Sequence, residues 1–180
     1  MIGASPPGSR RMPTRRRLLQ GLAAAALPAL ARAEPAAHDH DDCVFCRIEA
    51  GSEESVVIWR DEHLIAIADK FPFAPGHTLL MPRRHVQDPY AMPSGLAATL
   101  YAFAPTLART LKRAFAADGI TCMQNNERAG GQSVFHFHMH FVPRTAGVEL
   151  FQRLHDRVEV PAGDRERLFA PVRDLLGSHA

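Results

Sequence analysis

Residues 133–144 read SVFHFHMHFVPR, three histidines (His136, His138 and His140) set between Phe135, Phe137, Met139 and Phe141. Alternation at period two among β-favouring residues marks a strand, in which residues i, i+2 and i+4 share one face. The three imidazoles are therefore expected on one face with Val134, and the odd-numbered apolar side chains on the other, against a core. A strand rises about 3.3 Å per residue, so the Cα atoms of His136 and His140 would stand roughly 13 Å apart. An ion held at about 2.0–2.1 Å by imidazole nitrogen is hard to share across that span. The histidines are expected to divide their work, although a metal on the neighbours His136 and His138 stays open at this point.

Working outward, SVVIWRDEHLIAIAD (residues 55–69) predicts two strands split at the turn-forming Arg60, Asp61 and Glu62. KFPFAPGH (70–77) is a loop punctuated by Pro72, Pro75 and Gly76, and HTLLMP (77–82) returns as a strand. Leu96, Leu100, Phe103, Leu107, Leu111 and Phe115 fall on one helical stripe between about 94 and 117, with Pro105 a kink or boundary. GITCMQNN (119–126) predicts another strand and NERAGGQ (126–132) a loop. A last amphipathic helix is expected from about 164 to 176. Hairpin-like strands with separated helices imply an α+β fold with a mostly antiparallel sheet and flanking helices. No internal repeat is visible.

The chain begins with a different kind of segment. TRRRLLQGLAAAALPALARA (14–33) has a basic start, a modest apolar run and an Ala-x-Ala end, the layout of an export signal. The apolar run is too short to span a bilayer, and Arg15, Arg16 and Arg17 before Leu18 and Leu19 resemble a twin-arginine signal, with an ordinary secretory signal as the other reading. Residues 1–33 are thus expected to be removed on export to the periplasm, and 34–42 (EPAAHDHDD) to form a linker. Of the 21 Lys and Arg in the chain, six lie in this leader and none of the 19 acids does, which leaves a mature net charge of −4. The basic excess belongs to export and does not argue for nucleic-acid binding.

GGQSVFHFHMHFVPR, together with CVFCRI, DKFPFAPGHTLLMPRRH and the Asn-rich end of the strand before the loop, resembles the histidine triad family over about residues 43–145, within a domain expected to span 43–150. Residues 151–180 would form a C-terminal extension with a helix. The resemblance implies a hydrolase or transferase acting on nucleoside phosphoramidates or related nucleotide conjugates, and a homodimer with the two sheets joined. It implies that His138 attacks the α-phosphorus to form a nucleotidyl-histidine, that His140 hydrogen-bonds the phosphate or the leaving group, and that Asp69 holds the ribose hydroxyls. Asn125, Gln132 and Ser133 would line the phosphate and ribose site, and Ile67 and Phe71 are candidates for the base pocket. A dinucleoside polyphosphate hydrolase and a non-catalytic zinc- or nucleotide-binding module are the alternatives.

Cys43 and Cys46 form a C-x2-C pair that presents two thiolates to a tetrahedral ion. The family's zinc-binding branch implies His85, in PRRH, and His136 as the other two ligands of a structural Zn2+. A Cys43–Cys46 disulfide is the competing reading for an exported protein. Cys122 is expected to be a small buried residue, and His77 is a reserve ligand.

Overall fold

The computed structural model describes residues 42–149 and 157–177. The leader and all but the last residue of the expected linker lie outside the described residues. The chain divides after Ala37, and everything described belongs to the second unit, His38–Ala180.

Five strands form one antiparallel sheet in the order β1-β2-β3-β5-β4. β1 (Val57–Arg60) and β2 (Leu64–Ala68) are joined by a turn in which the Asp61 carboxylate accepts from the amides of His63 and Leu64, at 2.7 and 2.6 Å. β3 (Thr78–Pro82) pairs with β2 over its whole length, and β5 (Met139–Arg144) lies between β3 and the edge strand β4 (Gly119–Met123).

The period-two patterns sort the core. Leu64, Ala66, Ala68, Leu80, Phe137, Met139 and Phe141 face one side, where they meet Leu100, Leu107 and Leu111 of α2 (Ser94–Ala114) and Phe169, Val172 and Leu176 of α3 (Ala162–Gly177). Ile65, Ile67, Leu79 and Met81 face the other side, under Phe45 of the short helix α1 (Val44–Glu49). His140 stands opposite Leu79 in the ladder and so shares that second face. The C-terminal helix is thus part of the main core.

Three expectations need adjustment. The strand begins at Met139, and residues 134–136 form a bend. Continuing the β3 register would bring Phe137 opposite Pro82, which has no N–H to donate, and the Phe137 amide instead donates to the Val86 carbonyl at 2.6 Å. Phe135, expected in the core, is therefore only partly buried and lies under the Arg128 guanidinium. Pro105 neither ends nor breaks α2; it sits on the exposed face, where packing of Leu100, Ala104, Leu107 and Leu111 on the other face offsets its missing bond. Cys122 is exposed on the edge strand rather than buried. Among the described residues no helix is long and apolar enough to cross a membrane.

Candidate functional site

The bend before β5 separates the three histidines by partner. His136 turns toward α1: its Nδ1 stands 3.6 Å from the Sγ of both Cys43 and Cys46, and His85 Nδ1 stands 3.3 Å from Cys46 Sγ. Cys43 is the N-cap of α1 and Cys46 lies one turn on, which aims both thiols at the same point. Both are free cysteines, and the four donor atoms fall within 4.8 Å of one another.

This group fits zinc. Bonds of about 2.3 Å to sulfur and 2.0–2.1 Å to nitrogen, at tetrahedral angles, put sulfur and nitrogen ligands roughly 3.6 Å apart. The His136 Nε2–H donates to the Pro82 carbonyl at 2.8 Å, so Nδ1 carries the lone pair that a metal needs. Burial and the neighbouring Cys43 push the Cys46 thiol well above its ordinary value, so a pair of thiolates here calls for a cation. His138 lies outside this group, so the four ligands expected from the sequence come together without it.

His138 and His140 belong to a different space. With Asp69, Ser133, Ile67 and Phe71 they line a cavity of about 280 Å³ between α1, the 69–71 segment and the start of β5. Phe45 divides the two regions, its ring edge-on to His136 at 5.7 Å and to His138 at 5.1 Å. All three histidines are buried, at 1, 5 and 9% exposure in chain order, beneath α1 and its Phe45 ring.

The hydrogen bonds assign the protons. His138 Nδ1 lies 2.7 Å from the His136 carbonyl oxygen, which can only accept, so Nδ1 carries the hydrogen and Nε2 is an unprotonated base. Burial lowers the His138 pKa, against partial support from that carbonyl, and keeps the ring neutral at pH 7.

His140 Nδ1 meets His77 Nε2 at 3.0 Å, and His77 Nδ1 meets the Asp69 carboxylate at 3.1 Å. The Phe73 amide also donates toward His77 Nδ1, at 3.2 Å, a neutral contact that competes with the charged one to Asp69. A carboxylate beside a bare ring lone pair is repulsive, so the Asp69 contact selects the tautomer with Nδ1–H. His77 Nε2 then accepts from His140 Nδ1–H, and His140 Nε2 is left unprotonated. Burial is the main reason that His77 and His140 are both driven down to about 3; the Arg157 charge adds to it at His77, and the His138 charge at His140. His77 uses nitrogens on opposite sides of its ring, so Asp69, His77 and His140 form a hydrogen-bonded row rather than three ligands to one ion. The reserve ligand is a connector.

Two expected site residues stand elsewhere. Gln132 is buried, accepting from the Glu127 amide at 2.8 Å and donating to the Gln87 carbonyl at 2.7 Å, so both ends of its amide are used. Asn125 donates to the Gly131 carbonyl at 3.4 Å. Both shape the loop that delivers Ser133, and neither lines the cavity. Sequence reading passed over Phe45 and the arginines of the C-terminal segment, Arg157 and Arg165, which also line it; no local pattern marks them, because they arrive from opposite ends of the chain.

Comparison with known proteins gives a consistent result. A family model described as the HIT domain matches residues 50–147. The protein hit of Bacillus subtilis is 37% identical over 107 residues, covering 59% of this chain and 74% of its own length. An adenylylsulfatase of Arabidopsis thaliana is 31% identical over 104 residues, covering 58% of this chain and 53% of its own. Among solved structures, a zinc-bound histidine triad family protein from Mycobacterium smegmatis superposes with a TM-score of 0.66 at 33% identity, covering 78% of this chain and 99% of that one.

Proposed function

Because this chain belongs to the HIT domain family, we propose that it is a hydrolase of nucleoside phosphoramidates or related nucleotide conjugates, acting through a covalent nucleotidyl-histidine. The observation that carries this reading is the His138 tautomer: Nδ1–H tied to the His136 carbonyl and Nε2 unprotonated in a cavity. The Nε2 lone pair forms a bond to the α-phosphorus. The bond from phosphorus to the departing group breaks, and that group leaves with the electron pair and is protonated by water. Positive charge gained by the imidazole is offset by the carbonyl at Nδ1. Water then attacks the same phosphorus, giving up a proton to the hydroxide left by the first step, and the P–N bond to His138 breaks, which returns the neutral ring and releases a nucleoside monophosphate.

In this reading His140 Nε2 accepts a hydrogen bond from the water that protonates the leaving group in the first step and from the attacking water in the second. His77 and Asp69 keep that nitrogen free of its proton, and Asp69 retains its proposed place beside the ribose hydroxyls. Ser133 offers a hydroxyl to the phosphate, and Ile67 and Phe71 an apolar wall to the base. Gln132 and Asn125 act one step back, by shaping the loop. Cys43, Cys46, His85 and His136 would hold a Zn2+ whose role is to fasten α1 to the sheet; the donor distances and the name of the zinc-bound relative support it.

A homodimer with the two sheets joined remains part of the proposal, as does removal of residues 1–33 on twin-arginine export to the periplasm. Both rest on sequence resemblance. N-terminal sequencing of the mature protein tests the second, with an N-terminus at Glu34 expected.

Replacing His138 with Ala is expected to abolish turnover of an adenosine phosphoramidate, and mass spectrometry of the quenched wild-type reaction to find adenylyl-His138. Unchanged turnover in the variant would sink the assignment. Nucleotide binding with no adduct and no turnover would support a non-catalytic module instead, and faster cleavage of a dinucleoside polyphosphate would support the other hydrolase.

A further inference from the structure

The wall of the His138–His140 cavity opposite α1 is built by the segment after residue 156, beyond the part that matches the HIT model. Its backbone is tied alongside the 69–73 loop: the Val160 amide donates to the Lys70 carbonyl at 3.0 Å, and Lys70 pairs with Glu159 at 3.2 Å. Arg157 is clamped over this loop. Its Nη1 donates to the Phe71 carbonyl at 3.2 Å, and its guanidinium lies 4.5 Å from the centre of the Phe73 ring, which is 6.3 Å from that of His140. Behind it stands Arg165, only 4% exposed, donating to the carbonyls of Val160 and Ala68 at 3.0 and 3.4 Å.

The charges of this wall are unbalanced. Arg47, Arg83 and Arg173 each pair with a carboxylate, whereas among the described residues neither Arg157 nor Arg165 has one. Asp69 lies on the same wall, but its oxygens are engaged by His77 Nδ1 and the Phe71 amide. Of the other acids on the cavity, Glu53 is paired with Arg47, and Glu54 is exposed and forms no ion pair with either arginine among the described residues. Among the described residues these two guanidiniums meet neutral carbonyls and the Phe73 ring, and one of them is almost fully buried, an arrangement that favours an incoming anion because burying a cation without a counter-charge is unfavourable. Arg157 keeps donors to spare and its stacking on Phe73 holds its plane in place, so little ordering is needed when an oxyanion arrives.

We infer that Arg157, braced by Arg165, binds a second anionic group of the substrate, beyond the phosphorus that His138 attacks. This rests on reading the cavity as the nucleotide site, and it narrows the substrate class. The favoured conjugates carry an acidic group next to the α-phosphate, a further phosphate or a sulfate, rather than an uncharged amine.

The test uses the zinc-loaded chain carrying His138→Ala, which prevents turnover, titrated calorimetrically with adenosine 5′-monophosphate, 5′-diphosphate and 5′-phosphosulfate. One charge-assisted contact predicts that the diphosphate, the phosphosulfate or both bind about tenfold or more tightly than the monophosphate. Adding Arg157→Gln should bring that ratio to within about twofold, and Arg157→Lys should keep part of it by keeping the cation. Whether phosphate, sulfate or both gain from Arg157 identifies the acid. A ratio that Arg157→Gln leaves intact would overturn the inference, as would equal weakening of all three ligands accompanied by a lower Tm, which marks a strap alone. Failure to bind any of the three nucleotides overturns the nucleotide reading itself, a result distinct from binding without a ratio.

Discussion

Gly76 shows how much one residue decides here. It adopts φ +86°, and a Cβ at this position would stand 2.5 Å from the Phe115 ring and 2.8 Å from Pro143 Cγ. Gly76→Ala is expected to cost about 1–2 kcal/mol for the left-handed backbone and about 1–3 kcal/mol for overpacking, read as a lower midpoint in urea unfolding. A loss under about 1 kcal/mol would contradict this account. The same change should lower turnover, because Gly76 sets the direction of His77. At this scale the sequence was informative about type and poor about partnership. Pro-Gly-His is legible as a turn followed by an imidazole, but the link from His77 to Asp69 and His140 depends on a residue 63 positions later. Gln132 is similar: its place in the Gly-Gln-Ser stretch was legible, but its bonds to Glu127 and Gln87 were not.

Among the elements, α1 has the least covalent and hydrogen-bonded support of its own. Six residues long and with no side-chain cap, it is too short to persist alone in water. It is attached by Phe45, Val44 and Ile48 against the sheet, by the Glu49 carboxylate on Arg83 and by the two thiols at its start, where zinc is expected to hold it down. Metal analysis should find one zinc per chain. Chelation should lower Tm, with roughly 4 kcal/mol at stake when free zinc stands a thousandfold above its Kd, and should free two additional thiols for titration. Cys46→Ser should reproduce the loss, since it removes a ligand shared with both histidines. Two cysteines that titrate only after reduction would instead indicate the disulfide. If zinc bound His138 directly, chelation would stop chemistry at once and not only lower stability. The C-x2-C spacing was readable at this scale; the helix that carries it was not, because α1 forms only where the sheet and the metal ligands accept it.

For the molecule as a whole, pH is the lever. His77 and His140 are held neutral, from an ordinary value of 6.5 down to about 3, chiefly by burial. Between those values the unfolded chain binds protons that the folded chain refuses. Their contribution to stability is therefore fully present above about pH 6.5 and is lost as pH falls toward 3, by roughly 1.4 kcal/mol per pH unit for each histidine. Urea unfolding at pH 7, 6 and 5 should show this decline. His77→Gln should flatten it by about one histidine's share, and an unchanged slope in that variant would show that the acid sensitivity arises elsewhere.

What the sequence determined by itself is what depends on neighbours along the chain. The alternations in 55–69, 77–82 and 133–144 and the stripe from Leu96 to Leu111 specify strands and a helix, because period two and period 3.6 are local properties of the backbone. The C-x2-C pair and the triad likewise declare their chemistry through residue type and spacing. Tertiary structure alone decided the rest. Pro82 ended the ladder and bent the chain so that His136 faces sulfur while His138 faces a cavity. Sheet order brought His77 to His140, and α3 with the segment before it brought Arg165 and Arg157 to the same wall. Each is a meeting of groups distant in sequence, set by which faces must be buried together, and no short window of the chain records it.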